Sequence, residues 1–433
     1  MQAVILAGGA SSRFHPLNEK PKSLIKIAGD PIIVHTVRSI KRAGINDIVL
    51  LTGPVNYFKD ILGNGKKYGV KITYASIPVP TGMGDGLLRC APFIKSDFFL
   101  LHAHHVEFDV LRKVIDQNRK ALNEAIIIGK KSKTPKHYGV LKIEGSKVLG
   151  IVEKPKSMRG LSNLRIIGVY LLNQDFIKML KKMKREHYSF ENALDRYAKQ
   201  GKVRVAISSQ EVITLKYPWD VLRVKDFILE KLKRSISKKA IVAKSAKISE
   251  NVVIEEGVQI SDNAVIQGPC YIGRNSFIGT NALLRNSTDI EANVTIGAYM
   301  EVKNSLIMED AKTHSGFVGD SVIGLNTRIG ALFGTANVRL DRANIRVIVK
   351  NEKIDSGLRS LGVVIGENVV IGERVSTMPG VIIGNNANIG PSTTVMKNVD
   401  SDTIYYTRFK ELVEKKSHLR QGYGGQARPK KYT

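Results

Sequence analysis

From residue 248 onward, an aliphatic side chain recurs at every sixth position for eleven consecutive steps: Ile248, Ile254, Ile260, Ile266, Ile272, Ile278, Leu284, Ile290, Ile296, Val302 and Met308. A smaller column runs two residues earlier, through Ala246, Val252, Val258, Ala264 and Cys270. A period of six fits neither the turn of an α-helix nor the alternation of a strand. It fits a triangular coil, in which each hexad makes one short strand and one corner, and three hexads close a turn. Stacked turns bury ladders of like side chains that no single turn could bury alone. Gly273, Gly279 and Gly297 follow the main column and are expected at corners that need φ > 0. The period returns at Ile323 and Ile329, and again at Ile365, Ile371, Ile383, Ile389 and Val395, with Thr377 in the missing slot. Residues 331–362 break it and read as a loop thrown out of the coil, a common place for function. His314 continues the main column after Met308, so it is expected to point inward or sit at a corner. An ordinary β-sandwich is the competing reading, and eleven matches in a row argue against it.

At 433 residues the chain is too long for one ordinary core, and its first half follows another pattern. Gln2 to Leu6 is a short buried-strand pattern leading into Ala7-Gly8-Gly9-Ala10-Ser11-Ser12-Arg13. Pro21-Lys22-Ser23-Leu24 comes next, then a helix from about Ile32 to Ala43, a turn, and a strand from Ile48 to Leu51. Strand, helix, strand predicts a parallel sheet. The loop after the first strand of such a sheet is where ligands sit. Paired glycines let backbone N–H groups approach phosphate oxygens, and Arg13 and Lys22 add charge. Lys178 to Tyr188 and Leu222 to Ile236 read as basic helices, the second linking the two domains. The expected division is 1–236, 237–400 and 401–433. The last part is expected to be a helix from Ser401, with Phe409, Leu412 and Val413 on one side, and then a disordered basic tail from Gln421.

The net charge of +28 is unevenly placed: residues 1–250 carry 46 Lys and Arg against 21 Asp and Glu, and residues 251–400 carry 13 against 15. Such a field draws in polyanions such as nucleoside triphosphates. A lysine-rich solvated surface is the plain alternative. Nothing aromatic or repetitive marks a nucleic-acid site, so nucleic acid is not an expected partner. Two cysteines, Cys90 and Cys270, make no disulfide framework, which suits a reducing cytoplasm. No apolar stretch approaches the ~20 residues of a membrane span, and no membrane partner is expected.

Ile5-Leu6-Ala7-Gly8-Gly9 through Pro21-Lys22 resembles the signature loop of the sugar-1-phosphate nucleotidyltransferase family, and the likeness runs to about residue 400. Tyr138-Gly139-Val140 with Val152-Glu153-Lys154-Pro155 is similar to its sugar-phosphate segments, and Pro218-Trp219-Asp220 to its last strand-to-helix turn. The coil resembles that of the bifunctional members, which also acetylate an amino sugar, with Thr313-His314 through Ser321 and Ala336-Asn337-Val338-Arg339 closest to an archaeal-type segment. The resemblance implies a Rossmann-like, mostly parallel α/β domain followed by a left-handed parallel β-helix. It implies an NTP and a sugar-1-phosphate as substrates, Mg²⁺ as cofactor, acetyl-CoA as a second-site substrate, and a homotrimer. Gly8, Gly9 and Arg13 would hold the triphosphate, Lys22 would offset charge at the reacting phosphates, and Gly82 would lie against the base. Gly139 and Glu153 would contact sugar hydroxyls, and Lys154 the sugar phosphate. His314 would be the general base of acetyl transfer, with Asn337 and Arg346 at its substrate.

The same resemblance exposes departures. His104 falls where the family carries its metal-binding aspartate, and Thr214 stands near the place of the second. Asp220 opens a helix in the family and is not the ligand. Ser11 replaces a usual glycine, and Met83 and Gly84 a usual Thr-Ala. Phe317 stands for a tyrosine, Ala343 for a lysine, and Arg346 for a second lysine. Mg²⁺ prefers oxygen ligands, whereas imidazole suits zinc, so His102, His104, His105 and Glu107 are candidates for a different metal site, His104 first. Three function classes remain: a nucleotidyltransferase with or without amino-sugar acetylation, a catalytically degenerate regulatory protein that binds nucleotide or sugar phosphate, and an acyltransferase working only on the coil.

Overall fold

The structure, a computed structural model, describes residues 1–9, 11–119 and 124–413. The first domain is built on a nine-stranded sheet in the order Lys71–Ser76, Asp47–Thr52, Gln2–Leu6, Phe98–His102, Leu164–Leu172, Ala125–Lys131, Val203–Ile207, Lys147–Glu153, Gly139–Glu144. The first four strands are parallel, and Leu164–Leu172 runs against its neighbours. Their unbroken apolar runs reflect burial on both faces, as in Val4, Leu50 and Leu100. Helix Ile32–Arg42 buries Ile33, Val34, Val37 and Ile40, three and four residues apart, against one face.

The hexads form the expected coil, a left-handed parallel β-helix whose three faces are parallel sheets of eight, nine and eight strands. Each strand pairs with the one three hexads later, as in Ile254 with Ile272 and Ile272 with Ile290. The interior is one continuous apolar ladder from Val252 to Val399. Gly273 and Gly279 are not the left-handed corners: neither has positive φ. A Cβ there would come within 2.7 Å of Ala292 N and 2.6 Å of Ala298 N, so they are small because the next turn stacks on them. Asparagines take the left-handed corners instead, at 251, 263, 275, 281 and 293, which Asn tolerates better than other side chains. Their amides stack along the coil, Asn326 on Asn368 at 2.9 Å and Asn368 on Asn386 at 3.2 Å.

After Val302 the period shortens at some corners. Ile290 pairs with Ile307, Ile296 with Thr313 and Val302 with Val318. Ile307 therefore continues the buried column, and Met308 turns outward to the domain interface. Thr313 takes the inward slot and His314 is an exposed corner residue. Within the broken stretch, Phe333–Thr335 still belongs to the coil, and the chain leaves it only beyond Thr335. There Arg346–Val349 and Glu352–Asp355 form a hairpin, with Val347 buried in the apolar cluster between the domains.

Three local expectations are corrected. The segment expected as helix over 178–188 is the end of helix Gln174–Lys181 and a turn before helix Ser189–Lys199, because 182–188 offers no apolar stripe to bury. The linker helix is Asp220–Leu229, and Ser235–Ile236 already pairs with Val253–Ile254 as the first strand of the coil. Instead of a helix from Ser401, Ile404–Tyr405 adds a last strand beside Asn388–Ile389, since the open end of the ladder captures it. Residues 406–413 are irregular, with Phe409, Leu412 and Val413 exposed. The basic tail from Gln421 lies outside the described residues. Among the described residues no helix is long and apolar enough to cross a membrane.

The domains share a buried cluster that includes Phe14, Ile27, Trp219 and Leu222 on one side and Leu306, Val322, Val364 and Ile382 on the other. Polar contacts reinforce it. Lys26 pairs with Glu309, and the fully buried Lys225 reaches the Ser287 carbonyl and, at 2.9 Å, Asn304 Oδ1.

Candidate active site

The strands flanking Gln2–Leu6 continue the chain on opposite sides, so the loop after it opens at a topological switch point, where ligands bind. A cavity of about 590 Å³ lies there, lined by Gly8, Gly9, Lys22, Gly82, His104 and Lys216 among others. The first five of these carry site roles expected from the sequence. A neighbouring cavity of about 540 Å³ carries Glu153 and Lys154, and His187 and Glu191 belong to both walls. Gly139 backs this second cavity: it pairs with Glu153 across the sheet, and a Cβ on it would come 2.7 Å from Glu153 Oε2. Arg13 is exposed near the mouth, where its charge reaches Lys22 and Lys216.

The glycine loop is tightly drawn. Ala7 N–H donates to Leu51 O at 3.0 Å, and a Cβ on Gly8 would fall 2.8 Å from Ile77 Cγ2. Ser11 stands at φ +48°, the left-handed region that a glycine would occupy without strain. Gly82 is at φ +137°, with the His187 carbonyl where its side chain would be. Gly84 leaves room for Ser189, so helix Met83–Cys90 packs directly on helix Ser189–Lys199 and brings His187 and Glu191 to the cavity.

Lys22 is mostly buried and donates to the Leu215 carbonyl. Burial pulls its pKa down to about 8, with Asp220 opposing and Arg13 assisting. Lys216 is lowered too, by burial first and then by Arg13 and Lys154. Glu153 is raised by burial, against the pull of Lys154 and Lys216. Glu191 is raised by burial and by Glu153, and its Oε2 is buried without a partner.

Among the described residues the histidines expected to hold a metal are not grouped as a ligand set. Strand Phe98–His102 ends before His104, which sits in the following turn; the His102 and His104 rings are nearly parallel, 5.7 Å apart. Burial holds His102 down at about 3 and His104 well below its usual range, and the charge of Lys22 lowers both further. His105 turns its Nδ1 to Glu107 Oε1 at 3.1 Å, and the same oxygen accepts from Ile213 N–H. Asp220 Oδ2 accepts from the N–H groups of Lys216 and Tyr217 at 2.6 and 2.8 Å. Among the described residues no group of three His, Cys, Asp or Glu is arranged to hold a metal ion. A hard divalent cation would meet imidazoles and an ammonium here, which does not fit its preference for oxygen ligands.

On the coil, Asn337 donates to Asp320 Oδ2 at 2.5 Å, and Asp320 also takes Lys303 and Asn304. Phe317 lies beside Asn337 over Gly319. His314 stands at its exposed corner, bonded through its backbone to Ile329. Arg346 is exposed on the hairpin. No hydrogen bond joins His314, Asn337 and Arg346 among the described residues.

Lys216, His187 and Glu191 were not singled out from the sequence. Lys216 follows Thr214 in the turn before Pro-Trp-Asp, which is a usable signal. His187 and Glu191 arrive by helix packing, which leaves no local motif.

A switch-point cavity with a glycine loop, followed by a β-helix, defines a two-domain nucleotidyl-transferase-type protein. The family described as nucleotidyl transferase matches residues 2–228, and the GMPPB C-terminal domain matches residues 266–399. The bifunctional protein GlmU of Methanococcus maripaludis strain C5 is 32% identical over 428 residues, covering 96% of this chain and 100% of that one. That of Methanocaldococcus jannaschii is 30% identical over 422 residues, with the same coverage. A bifunctional sugar-1-phosphate nucleotidylyltransferase/acetyltransferase of Sulfurisphaera tokodaii is 34% identical over 411 residues, covering 92% of this chain and 98% of that one. The chain belongs to the sugar-1-phosphate nucleotidyltransferase family, in the two-domain form of these bifunctional relatives.

Proposed function

We propose that the first domain joins a nucleoside triphosphate to a sugar-1-phosphate, forming an NDP-sugar and pyrophosphate. A phosphate oxygen of the sugar attacks the α-phosphorus, and the bond from that phosphorus to the bridging oxygen of the leaving pyrophosphate breaks. The observation that carries this reading is the pair of adjoining cavities, one with Gly8, Gly9, Lys22 and Gly82 on its wall, the other with Glu153 and Lys154. In it Arg13 guides the triphosphate from the mouth, Lys22 offsets charge at the reacting phosphates, Gly139 and Glu153 meet sugar hydroxyls, and Lys154 the sugar phosphate. Positioning and charge neutralisation supply the acceleration. Pyrophosphate release from each of the common triphosphates with hexose-1-phosphates tests it; no release with any pair sinks it.

The coil is proposed to acetylate an amino-sugar phosphate from acetyl-CoA, with His314 as general base and Asn337 and Arg346 at the substrate. The exposure of His314 supports access by a proton-donating amine. Acetyl-CoA consumption with glucosamine-1-phosphate tests this, and an unaffected His314→Ala variant would remove the base. The loss of the usual carboxylates favours a second reading, a regulatory protein that binds without turnover. Ligand binding with no pyrophosphate release would select it.

A homotrimer packed through coil faces is the proposed assembly. Phe277 and Val370, outward-facing on one sheet, are exposed and apolar, which suits a partner surface. Sedimentation as a monomer would count against it. Two buried free thiols, Cys90 and Cys270, are in keeping with a cytoplasmic protein.

A further inference from the structure

The strand end that faces the cavity carries no carboxylate among the described residues. The polar side chains there are His102, His104, Lys22, Thr214 and Lys216. Of the described residues lining this cavity, Glu191 alone is acidic, and it stands on the opposite helix beside His187 and Glu153. Two other acids close to this wall do not line the cavity: Glu107 takes His105 and the Ile213 N–H on Oε1 and keeps Oε2 buried without a partner, and Asp220 Oδ2 takes the backbone of Lys216 and Tyr217. Meanwhile the Lys22 ammonium is fixed on the Leu215 carbonyl, next to Thr214, close enough to lower both His102 and His104. A dication brought to this spot would be repelled by that fixed cation and would lose water ligands without gaining carboxylates.

We infer that Lys22 stands in for the divalent metal, so that this cavity takes up polyphosphate as the metal-free anion. The ammonium is already desolvated and anchored, which makes it a strong partner for a phosphate oxygen and removes the ordering cost at binding. Lys216 lies on the same wall and Arg13 near the mouth, so the compensating charge comes from the chain itself. A magnesium-complexed triphosphate has part of its charge cancelled and is the weaker ligand for such a site. This inference rests on the reading of the cavity as a phosphate site, and the test separates the two.

The probes are inorganic tripolyphosphate and UTP, titrated into the full chain by calorimetry and followed by thermal shift, once with EDTA and once with excess Mg²⁺. The expected result is binding in EDTA at least as tight as in Mg²⁺. Binding that needs Mg²⁺ overturns the inference and leaves the phosphate site standing. Binding in neither condition overturns the phosphate site and the inference together. Lys22→Gln is expected to weaken binding in EDTA by about tenfold or more, the worth of one charge-assisted hydrogen bond. The exposed Lys67→Gln is expected to bind as the unaltered chain does, which guards against simple attraction to a basic surface. Should Lys22→Gln not fold, Lys216→Gln takes its place with the same expected direction. Undiminished binding in whichever of these two variants folds overturns the role of the lysines.

Discussion

Asp289 accepts a 2.9 Å hydrogen bond from the backbone N–H of Ala28, tying the outer face of the coil to a hairpin tip of the first domain. Its other oxygen is buried without a partner. Two residues on, Glu291 accepts from Gly29 N–H at 3.1 Å. Burial pushes Asp289 up to about 7, against the Ala28 hydrogen bond and Lys225, and Glu309 adds to the rise. Glu291 is also raised well above its usual range, by burial and by Asp289. A carboxyl raised on folding binds its proton more tightly in the folded chain than in the unfolded one. Stability therefore falls as pH rises above about 4, the unfolded value, through the raised folded range of this carboxyl pair. The melting temperature is expected to drop between pH 5 and 7 by this route. Asp289→Asn should flatten that drop and melt higher at pH 8, as read by calorimetry across the pH series. An unchanged pH slope in the variant would show that this contact does not carry the effect.

Lys22, on the wall of the cavity proposed to hold phosphate, sets a separate limit in the same direction, a loss of activity at alkaline pH. Burial sets Lys22 at about 8 in the free protein, so its charge is present below that pH and lost above it. A reaction that needs the ammonium should show kcat/KM for the triphosphate falling above about pH 8. Lys22→Arg, charged throughout, should remove that alkaline limb even if its overall rate is lower. Lys22→Ala should cost about a hundredfold or more at every pH, in line with removing a preorganised charge from a transition state. Pyrophosphate release measured against pH in the three proteins checks both statements.

How far the sequence carried depended on whether the information was local. The six-residue ladder from Ile248 to Val302 was legible because each turn repeats the same burial problem, and the coil solves it with the same residues facing inward. The ladder misled at Met308, where a corner loses a residue and Ile307 takes the slot; from there Thr313 points inward and His314 keeps the corner that was its other reading. Nothing in those residues announces a shorter corner; the pairing with the turn below sets it. The glycine loop and Lys22 were legible as candidates for one site, and they do line one cavity, because backbone approach and charge are written in residue type. Glu191 and His187 were not, since a tertiary contact, Gly84 against Ser189, brings them to the cavity. The histidines after Phe98–Leu101 read as a metal set only while their rings and partners were unknown. His105 turns Nδ1 to Glu107 and leaves Nε2 buried without a partner, and the other two lie neutral beside a lysine.

The distinction between Ile307 and Met308 has a measurable consequence. Ile307 is fully buried in the coil interior and Met308 lies in the domain interface. Ile307→Ala leaves a cavity in a ladder that relaxes little, and is expected to cost about 2–5 kcal/mol of folding stability. Met308→Ala removes a flexible side chain from the edge of an interface and should cost less. Urea unfolding of both variants gives the comparison, and a larger loss at Met308 would mean that the original six-residue register holds through this turn.

Gly82 decides whether the two cavities can share a wall. Its φ of +137° is strained for any residue with a side chain, and a Cβ would fall 2.3 Å from the His187 carbonyl oxygen. That oxygen is backbone, so it yields only if the segment entering helix Ser189–Lys199 moves, taking Glu191 with it. Gly82→Ala should therefore act on both ligands at once. The strain of an unsuitable conformation is about 1–3 kcal/mol, and the displaced wall adds to it. The expected result is a chain that still folds, melts lower, and shows raised KM for the triphosphate and for the sugar phosphate together. A variant in which only the triphosphate KM rises would mean that Gly82 touches the nucleotide alone and that His187 and Glu191 keep their place. The two Michaelis constants, measured in one preparation alongside Gly53→Ala, where a Cβ has nothing within 4 Å, discriminate between these outcomes.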